Sequence, residues 1–448
     1  GMHYFVSVAP QNKEDQLTLS NFFPENQFVG TLDNNAFTYH DWDELVLSDV
    51  PDQLKGQKLL TTIRGRTGES HLVGAFRESK YPSSATPDQI HLSWSSDPST
   101  GVDILWRTDT SVASCQVKYR LKGTTEEQAV NGERIRLEDR LLMNDRYINH
   151  FTAHLRGLKP GSTYEYLVGN TAEWSSASSF NTSAADDSFS FLWFGDTHYS
   201  FKFSDILRLA YQKHPEVAFY SIVGDLVSDG LFRNQWDDLF EYSRGIFNTI
   251  PLMAVPGNHD NRAGLGAQLY REQFSYPLNA PEGVPTEQTY SFQYKNALFL
   301  MIDATSSIDA QTAWIEKQLA GTKATWKFVM FHFSPYNWEE PYLNIQKAWV
   351  PVFDRYHVDM VMGGHVHYYM RSKPLKNGSV VPSYNDGTAY VISIAIPSRN
   401  NQATDEPYAA VRNFDGHLYQ YVKIEGNKLS MIAVNAENKV IDSFEIKK

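Results

Sequence analysis

The sequence predicts a mixed α/β and α+β protein in which a β-sandwich precedes a layered α/β domain. Three observations predict it. Short alternating runs separated by turn signals fill residues 87–184. From residue 185 onward, strand-like and helical segments alternate. Five apolar runs in that second stretch each end in His, Asp or Asn. At 448 residues the chain exceeds one ordinary core, so several domains are expected. Their expected bounds are a β-rich N-terminal extension over 1–86, the sandwich over 87–184 and the layered domain over 185–448.

The extension is read from short β-like runs broken by Asp33-Asn34-Asn35 and Arg64-Gly65-Arg66, residues that favour turns. In the sandwich, Ile90 to Trp94 alternates as a half-buried strand does. Asp97-Pro98 and Gly101 mark a turn, and Val102 to Trp106 alternates again. Cys115 to Tyr119, His154 to Leu158 and Tyr164 to Val168 continue the pattern, whose spacing fits an immunoglobulin-like sandwich. Tyr164 follows a Pro160-Gly161 turn, the arrangement of a tyrosine corner, and the stretch resembles a fibronectin type III module. A small polar linker, Ser183 to Ser188, ends it.

Beyond the linker the alternation of strands and helices is that of a layered α/β domain. Ser204 is expected to cap a helix carrying Ile206, Leu207, Leu209 and Ala210 that stops before His214-Pro215. Helical spacing recurs over Trp236 to Phe247, Thr312 to Leu319 and Ile345 to Tyr356.

Composition narrows the function classes. Hydrophobic residues at 42% and charged residues at 21% fit a soluble globular protein. Aromatic residues at 14% suit sheets with large side chains packed between them. The net charge of -12 argues against a broad grip on a nucleic-acid backbone or an anionic membrane. No apolar run approaches a membrane span. Cys115 is the single cysteine, which excludes an intrachain disulfide and a Cys-based zinc site. Gly1-Met2 reads as a cloning remnant, so a leader peptide removed upstream is expected to leave no trace here.

The five polar clusters carry the chemistry. Phe189 to Phe194 runs into Gly195-Asp196-Thr197-His198, and Ala218 to Val223 into Gly224-Asp225. Leu252 to Val255 leads to Gly257-Asn258-His259-Asp260. Trp326 to Phe331 ends at His332, and Val358 to Met362 at Gly363-Gly364-His365-Val366-His367. One such residue is ordinarily a cap or a hydrogen-bonded structural group. Five in order at strand ends point to a ligand site, because strand ends in open α/β sheets are where loops converge. Two Asp, one Asn and four His offer oxygen and imidazole donors that suit zinc, manganese or iron. Seven such groups exceed one ion that keeps an open position. They fit two ions sharing a carboxylate, which clamp an in-line phosphoryl displacement at a separation of ~3.5–4 Å. Two dications also offset the repulsion between an acidic protein and an anionic substrate.

Asp-x-His, Gly-Asp, Gly-Asn-His-Asp, a strand-end His and Gly-His-x-His together resemble the calcineurin-like metallophosphoesterases, over roughly residues 188–448. The sandwich running directly into such a domain is similar to the purple acid phosphatases of plants and bacteria. Thr289 to Asn296, Trp314 to Leu319 and Gly364 to Ser372 share that resemblance. It implies a four-layer α-β-β-α metallophosphoesterase sandwich. It also implies a dinuclear centre of iron, manganese or zinc, with Asp196, His198 and His367 on one ion and Asn258, His332 and His365 on the other. Asp225 would bridge both. His259 would be the catalytic residue beside the metals, with Asp260 orienting it through a hydrogen bond; a turn-capping carboxylate is the alternative reading of Asp260.

The implied activity is hydrolysis of phosphate monoesters by in-line attack of a metal-bound hydroxide. The implied partner is a phosphorylated small molecule or other phosphoester, in a secreted or cell-surface setting. Phosphodiester hydrolysis with the same metals, and an interaction protein whose hydrolase has decayed, are the competing readings. One departure matters. Purple members resemble one another in having a tyrosine three residues after the bridging Asp, where this chain has Ser228, and in lacking a ligand at the place of His198. A colourless protein is therefore expected.

Among other residues, Arg262 and Arg371 are candidates for phosphate contact, with a salt-bridged role as the alternative. His214, His357 and His417 are expected to be structural. Asn181 and Asn377 fit glycosylation acceptor patterns. The aromatics of Trp338 to Tyr342 would either line a pocket or pack.

Overall fold

The computed structural model describes residues 77–139, 142–261, 267–398 and 406–448, and within residues 1–76 it describes five strands. These are β1 (Tyr4–Ala9), β2 (Phe28–Thr31), β3 (Ala36–Tyr39), β4 (Leu60–Arg64) and β5 (Ser70–Ala75). They pair antiparallel in the order β2-β3-β1-β4-β5, so the extension is a sheet. The turn residues Asp33, Asn34, Asn35, Gly65 and Arg66 lie outside the described residues, as does Arg262. The sheet belongs to a unit formed by residues 1–83, 136–148 and 231–234. Within it the buried Arg233 guanidinium lies 3.0 Å from Asp145. The remaining residues form a second unit, which holds every candidate site residue.

The sandwich consists of β6 (Asp88–Ser93), β7 (Gly101–Asp109), β8 (Gln116–Leu121), β9 (Gln128–Asn131), β10 (Glu133–Glu138), β11 (Tyr147–Arg156), β12 (Thr163–Gly169) and β13 (Ser178–Asn181). Two four-stranded sheets result, ordered β10-β11-β7-β6 and β13-β12-β8-β9. Alternation decides which side chains face inward. Tyr164, Tyr166 and Val168 of β12 bury with Val117 and Tyr119 of β8. The Tyr164 hydroxyl accepts the Lys159 amide at 2.9 Å, which is the tyrosine corner the sequence predicts. Strands β9 and β10 are mostly exposed edge strands; in β10 Ile135 and Leu137 alternate with Arg134, Arg136 and Glu138, and of the two only Leu137 is buried.

The layered domain runs β14 (Ser188–Phe194), α1 (Phe201–Lys213), β15 (Tyr220–Val223), α2 (Arg233–Tyr242), β16 (Leu252–Val255), α3 (Gln268–Gln273), β17 (Tyr290–Tyr294), β18 (Ala297–Met301), α4 (Ile308–Gly321) and β19 (Trp326–Phe333). It continues through α5 (Leu343–Ala348), α6 (Val350–Tyr356), β20 (Met360–Gly364), β21 (Tyr369–Ser372), β22 (Leu375–Lys376), β23 (Ser379–Val380), β24 (Ala389–Ile392) and β25 (Ala409–Asn413). Three long strands, β26 (Leu418–Glu425), β27 (Lys428–Asn435) and β28 (Val440–Lys447), complete it. One sheet is ordered β16-β15-β14-β26-β27-β28 and the other β17-β18-β19-β20-β24-β21-β25.

The pleat separates the layers. Phe299 and Met301 of β18, Phe328 and Met330 of β19 and Met360 and Met362 of β20 join Phe191 and Ile222 of the first sheet in one core. The intervening Leu298, Leu300, Val329, Phe331 and Val361 face away and pack with Trp314, Ile315, Trp349 and Phe353 of the helices. On the far side of the first sheet α1 buries Phe203, Ile206, Leu207 and Ala210. The result is the helix–sheet–sheet–helix stack that the resemblance implies.

Two helix readings shift. Ser200, not Ser204, caps α1, its hydroxyl accepting the Lys202 amide, while Ser204 is buried within the helix. The periodic stretch Ile345 to Tyr356 divides into α5 and α6, because Pro351 in the first turn of α6 has no amide to continue α5. Among the described residues no helix is long and apolar enough to cross a membrane.

Candidate metal centre

Strands β14, β15 and β16 run parallel in one sheet, and β18, β19, β20 and β24 run parallel in the other. Their C-terminal ends carry all five predicted clusters. The turns leaving them are strained in one respect: His198, Asp225 and His365 have φ of 46°, 51° and 73°. A non-glycine residue in that region costs about 1–3 kcal/mol and persists where surrounding structure demands it. The glycines are equally constrained. Gly224 has φ of 96°, and a Cβ there would fall on the His332 ring; a Cβ at Gly257 would fall on the Asp225 carboxylate.

These turns bring Asp196, His198, Asp225, His332, His365, His367 and His259 together, and Asn258 directly precedes His259 in the turn after β16. His367 Nε2 lies 3.2 Å from Asp196 Oδ2 and 3.4 Å from His198 Nε2. His198 Nε2 lies 3.8 Å from Asp196 Oδ2 and 3.9 Å from Asp225 Oδ2. On the other side of Asp225, His332 Nε2 approaches Oδ2 at 3.1 Å. Asp225, His332 and His365 form one metal-sized cluster, and Asp196, His198 and His367 another. Asp225 also clusters with His198, so its carboxylate faces both groups.

Whether this donor set fits metal ions is tested by what its buried atoms lack. Asp196 Oδ2, Asn258 Oδ1 and His332 Nε2 are buried without a hydrogen-bond partner. Leaving each such group unpaired costs ~1–3 kcal/mol. His332 Nε2 lies near Asp225 but not in hydrogen-bonding geometry. Three orphaned donors from three different strand ends, among only oxygen and imidazole groups, fit hard or borderline cations. Electrostatics agree. Burial disfavours the His332 imidazolium, yet the Asp225 and Asp196 carboxylates raise its pKa to about 10. Burial would likewise push Asp196 up, and His332, His367 and His198 hold it below the ordinary carboxylate range. A carboxylate field strong enough to keep a proton on a fully buried imidazole is one that a dication satisfies.

Hydrogen bonds at the far edges of the rings set their orientation. His332 Nδ1 donates to the Val223 carbonyl at 2.8 Å, leaving Nε2 for the cluster. His259 Nδ1 donates to the Ser228 carbonyl at 2.7 Å, so its Nε2 faces the site, 4.0 Å from Asp225 Oδ2. The His259 side chain is 42% exposed and therefore open to a substrate. Asp196 and Asp225 each spend their other oxygen on a backbone amide, that of His365 at 2.8 Å and that of His259 at 2.9 Å.

Asp260 departs from its expected orienting role. It forms no hydrogen bond with His259; its buried carboxylate accepts the amides of Gly257, Val227 and Leu226 at 2.8, 3.1 and 3.2 Å. The reason is direct: Ser228 already occupies the only His259 nitrogen that points away from the site. Asp260 is a capping carboxylate that ties the turn after β15 to the turn after β16. Burial and the neighbouring Asp225 charge raise its pKa to about 8.

The remaining candidates divide. Arg371 is held by Asp442 at 2.6 and 3.0 Å and is not at the site. His214 reaches the Tyr419 hydroxyl, His357 the Asn385 carbonyl and His417 the Lys202 carbonyl, so all three are structural. Phe333 and Tyr342 stack at 4.6 Å and both rings stand against His365. Sequence reasoning missed Glu340, whose carboxylate lies 3.4 Å from His365 Nε2. It also missed the carbonyl of Ser228, which no residue type can announce.

Residues 87–182 match the family model of the purple acid phosphatase N-terminal domain, and residues 189–369 that of the calcineurin-like phosphoesterases. Two uncharacterised proteins of Mycobacterium tuberculosis are 25% identical over 332 residues, which cover 64% of this chain and 62% of each relative. A purple acid phosphatase of Glycine max is 24% identical over 319 residues, covering 66% of this chain and 68% of that protein. The chain thus spans less than two thirds of the mycobacterial relatives it matches. A solved structure of a purple acid phosphatase from yellow lupin (Lupinus luteus) seeds shares the fold, with a TM-score of 0.69 at 17% identity over 99% of this chain and 90% of that one. The chain therefore carries a calcineurin-like phosphoesterase domain over residues 189–369, preceded over residues 87–182 by the N-terminal domain of the purple acid phosphatases.

Proposed function

We propose that the protein hydrolyses phosphate monoesters at a dinuclear metal centre. The observation that carries this reading is that Asp196 and His332, each with an orphaned buried atom, cluster with His198, Asp225, His365 and His367 beside the half-exposed His259 side chain. Asp196, His198 and His367 would hold one ion and Asn258, His332 and His365 the other, with Asp225 between them. Iron, manganese and zinc all suit these donors. Bound there, two such ions supply Lewis-acid polarisation of the phosphoryl oxygens and an activated water.

The chain's own groups do the rest. His259, held through Nδ1 by Ser228, keeps Nε2 toward the substrate and, when protonated, delivers that proton to the leaving oxygen. The His365 and His259 amides fix the two carboxylates so that their free oxygens face inward. Ser228 leaves no tyrosine beside the first ion. Its hydroxyl lies 3.3 Å from His198 Nδ1 instead.

The test is phosphate release from p-nitrophenyl phosphate and from its bis ester, with manganese, zinc or iron added to metal-free protein. Faster turnover of the monoester is expected. Preference for the bis ester would make the protein a phosphodiesterase, and failure to hydrolyse either would refute the reading.

A further inference from the structure

The turn that follows the bridging carboxylate does two jobs at one residue. Ser228 receives the His259 Nδ1 proton on its carbonyl at 2.7 Å, and its hydroxyl faces His198 Nδ1 at 3.3 Å. One residue therefore contacts both the ring expected to meet the substrate, through its carbonyl, and a ring expected to meet a metal, through its hydroxyl. Rotation of the Ser228–Asp229 peptide would turn that carbonyl away from His259. What stops it from rotating lies outside the five motifs. Gln235, in the first turn of α2 and 7% exposed, accepts the amides of Ser228 and Asp229 on one oxygen, at 2.9 and 2.8 Å. The next residue, Trp236, donates to the Gly230 carbonyl at 3.1 Å. The Gly230 amide returns to the His259 carbonyl at 2.9 Å. The loop Ser228–Gly230 is thus clamped to α2 on one side and to His259 on the other.

We propose that Gln235 is a positioning residue that, by holding the peptides on both sides of Ser228, sets the direction of His259 through the Ser228 carbonyl and supports that of His198 through the Ser228 hydroxyl. The physical basis is that a ring nitrogen's role is decided by the hydrogen bond its other nitrogen makes. With Nδ1 of each ring engaged by Ser228, Nε2 of His259 is left for the leaving oxygen and Nε2 of His198 for a metal. The Asp229 amide shares its peptide plane with the Ser228 carbonyl, so holding that amide directs the carbonyl at His259, and holding the Ser228 amide as well fixes the Cα that carries the hydroxyl. No other residue type of that length places a neutral double acceptor there. The inference rests on the phosphoesterase reading only for its activity test.

That test compares Gln235→Leu, which fills the space without an acceptor, with Gln235→Glu, which restores one. Two monoesters are used: p-nitrophenyl phosphate, whose leaving group departs without a proton, and an alkyl phosphate, whose leaving group needs one. In the wild-type background Gln235→Leu is expected to lose at least 10-fold more kcat on the alkyl ester than on the nitrophenyl ester. KM should be nearly unchanged, and Gln235→Glu should recover most of the loss. Equal losses on the two esters, no loss, or no recovery would overturn the proposal. If Gln235→Leu does not fold, Gln235→Asn withdraws the acceptor by one methylene and carries the same comparison.

A readout independent of activity is the imidazole N–H of His259 in metal-free protein, assigned by its loss in His259→Asn. A slowly exchanging proton is expected in wild type and Gln235→Glu and not in Gln235→Leu; its persistence in Gln235→Leu overturns the proposal. Wild-type protein inactive on both esters would sink the phosphoesterase reading and leave this second readout to decide the role of Gln235.

Discussion

Replacing Asp260 separates a capping role from a catalytic one. Its carboxylate accepts three buried amides, those of Leu226, Val227 and Gly257, which have no other acceptor among the described residues. In Asp260→Ala all three are left inside the protein without an acceptor. At ~1–3 kcal/mol for each orphaned buried donor, the variant should lose about 3 kcal/mol or more. Asp260→Asn can turn its oxygen toward Leu226 and Gly257, which share Oδ2, and then faces its own N–H groups toward Val227. One orphan and a donor–donor contact put its loss at about 1–3 kcal/mol. Relief of the repulsion between Asp260 and Asp225 works in its favour. Urea denaturation of metal-free protein measures both. The expected order is wild type, Asp260→Asn, Asp260→Ala. A stability within 1 kcal/mol of wild type for Asp260→Ala, accompanied by a large fall in kcat, would refute the capping argument and restore the orienting one.

Three further outcomes follow from the same geometry. His259→Asn should lower kcat by about 10²–10⁴-fold, the usual worth of a positioned acid or base, while metal analysis still finds two ions per chain. Iron-loaded protein should show no intense visible band, since Ser228 and not a tyrosine faces His198; a strong band that shifts with reduction would contradict this. The protein should weaken in acid for a reason that does not involve the candidate metal ligands. His91 and His150 are buried, which lowers their pKa values to about 4 and about 3. Between pH 6.5 and about 4 the unfolded chain binds protons that these folded rings refuse, so stability falls as pH falls, by ~1.4 kcal/mol per pH unit for each ring. Melting temperatures across that range should drop less steeply in His150→Leu, and an unchanged slope would contradict the assignment.

The site was legible where chemistry and period coincide. β14, β15, β16, β19 and β20 are apolar runs that stop at a polar cluster, so both the strand and its functional end appear in the residue types. The candidate ligands were legible for that reason, and in this fold the C-terminal ends of the parallel strands of both sheets meet, Asp196 of one clustering with His367 of the other. The tyrosine corner was legible for a similar reason, since Pro160-Gly161 fixes the turn before Tyr164. Strands β9 and β10 were less so, because both are short edge strands, and the alternation in β10 rests on two apolar residues, Ile135 and Leu137. Asp260 was left between two readings because a carboxylate beside a candidate catalytic His has two common uses, and only the free or occupied state of His259 Nδ1 separates them. Gln235 was invisible for a different reason. Its partners are backbone amides, which every sequence offers alike, and only the fold brings α2 against the turn after β15.

Most direct for the dinuclear reading is phosphate release from p-nitrophenyl phosphate, measured as metal-free protein is titrated with manganese. Activity should be negligible without metal, rise with added ion and saturate at two equivalents per chain. Saturation at one equivalent, or turnover that survives exhaustive chelation, would contradict a dinuclear centre bridged by Asp225.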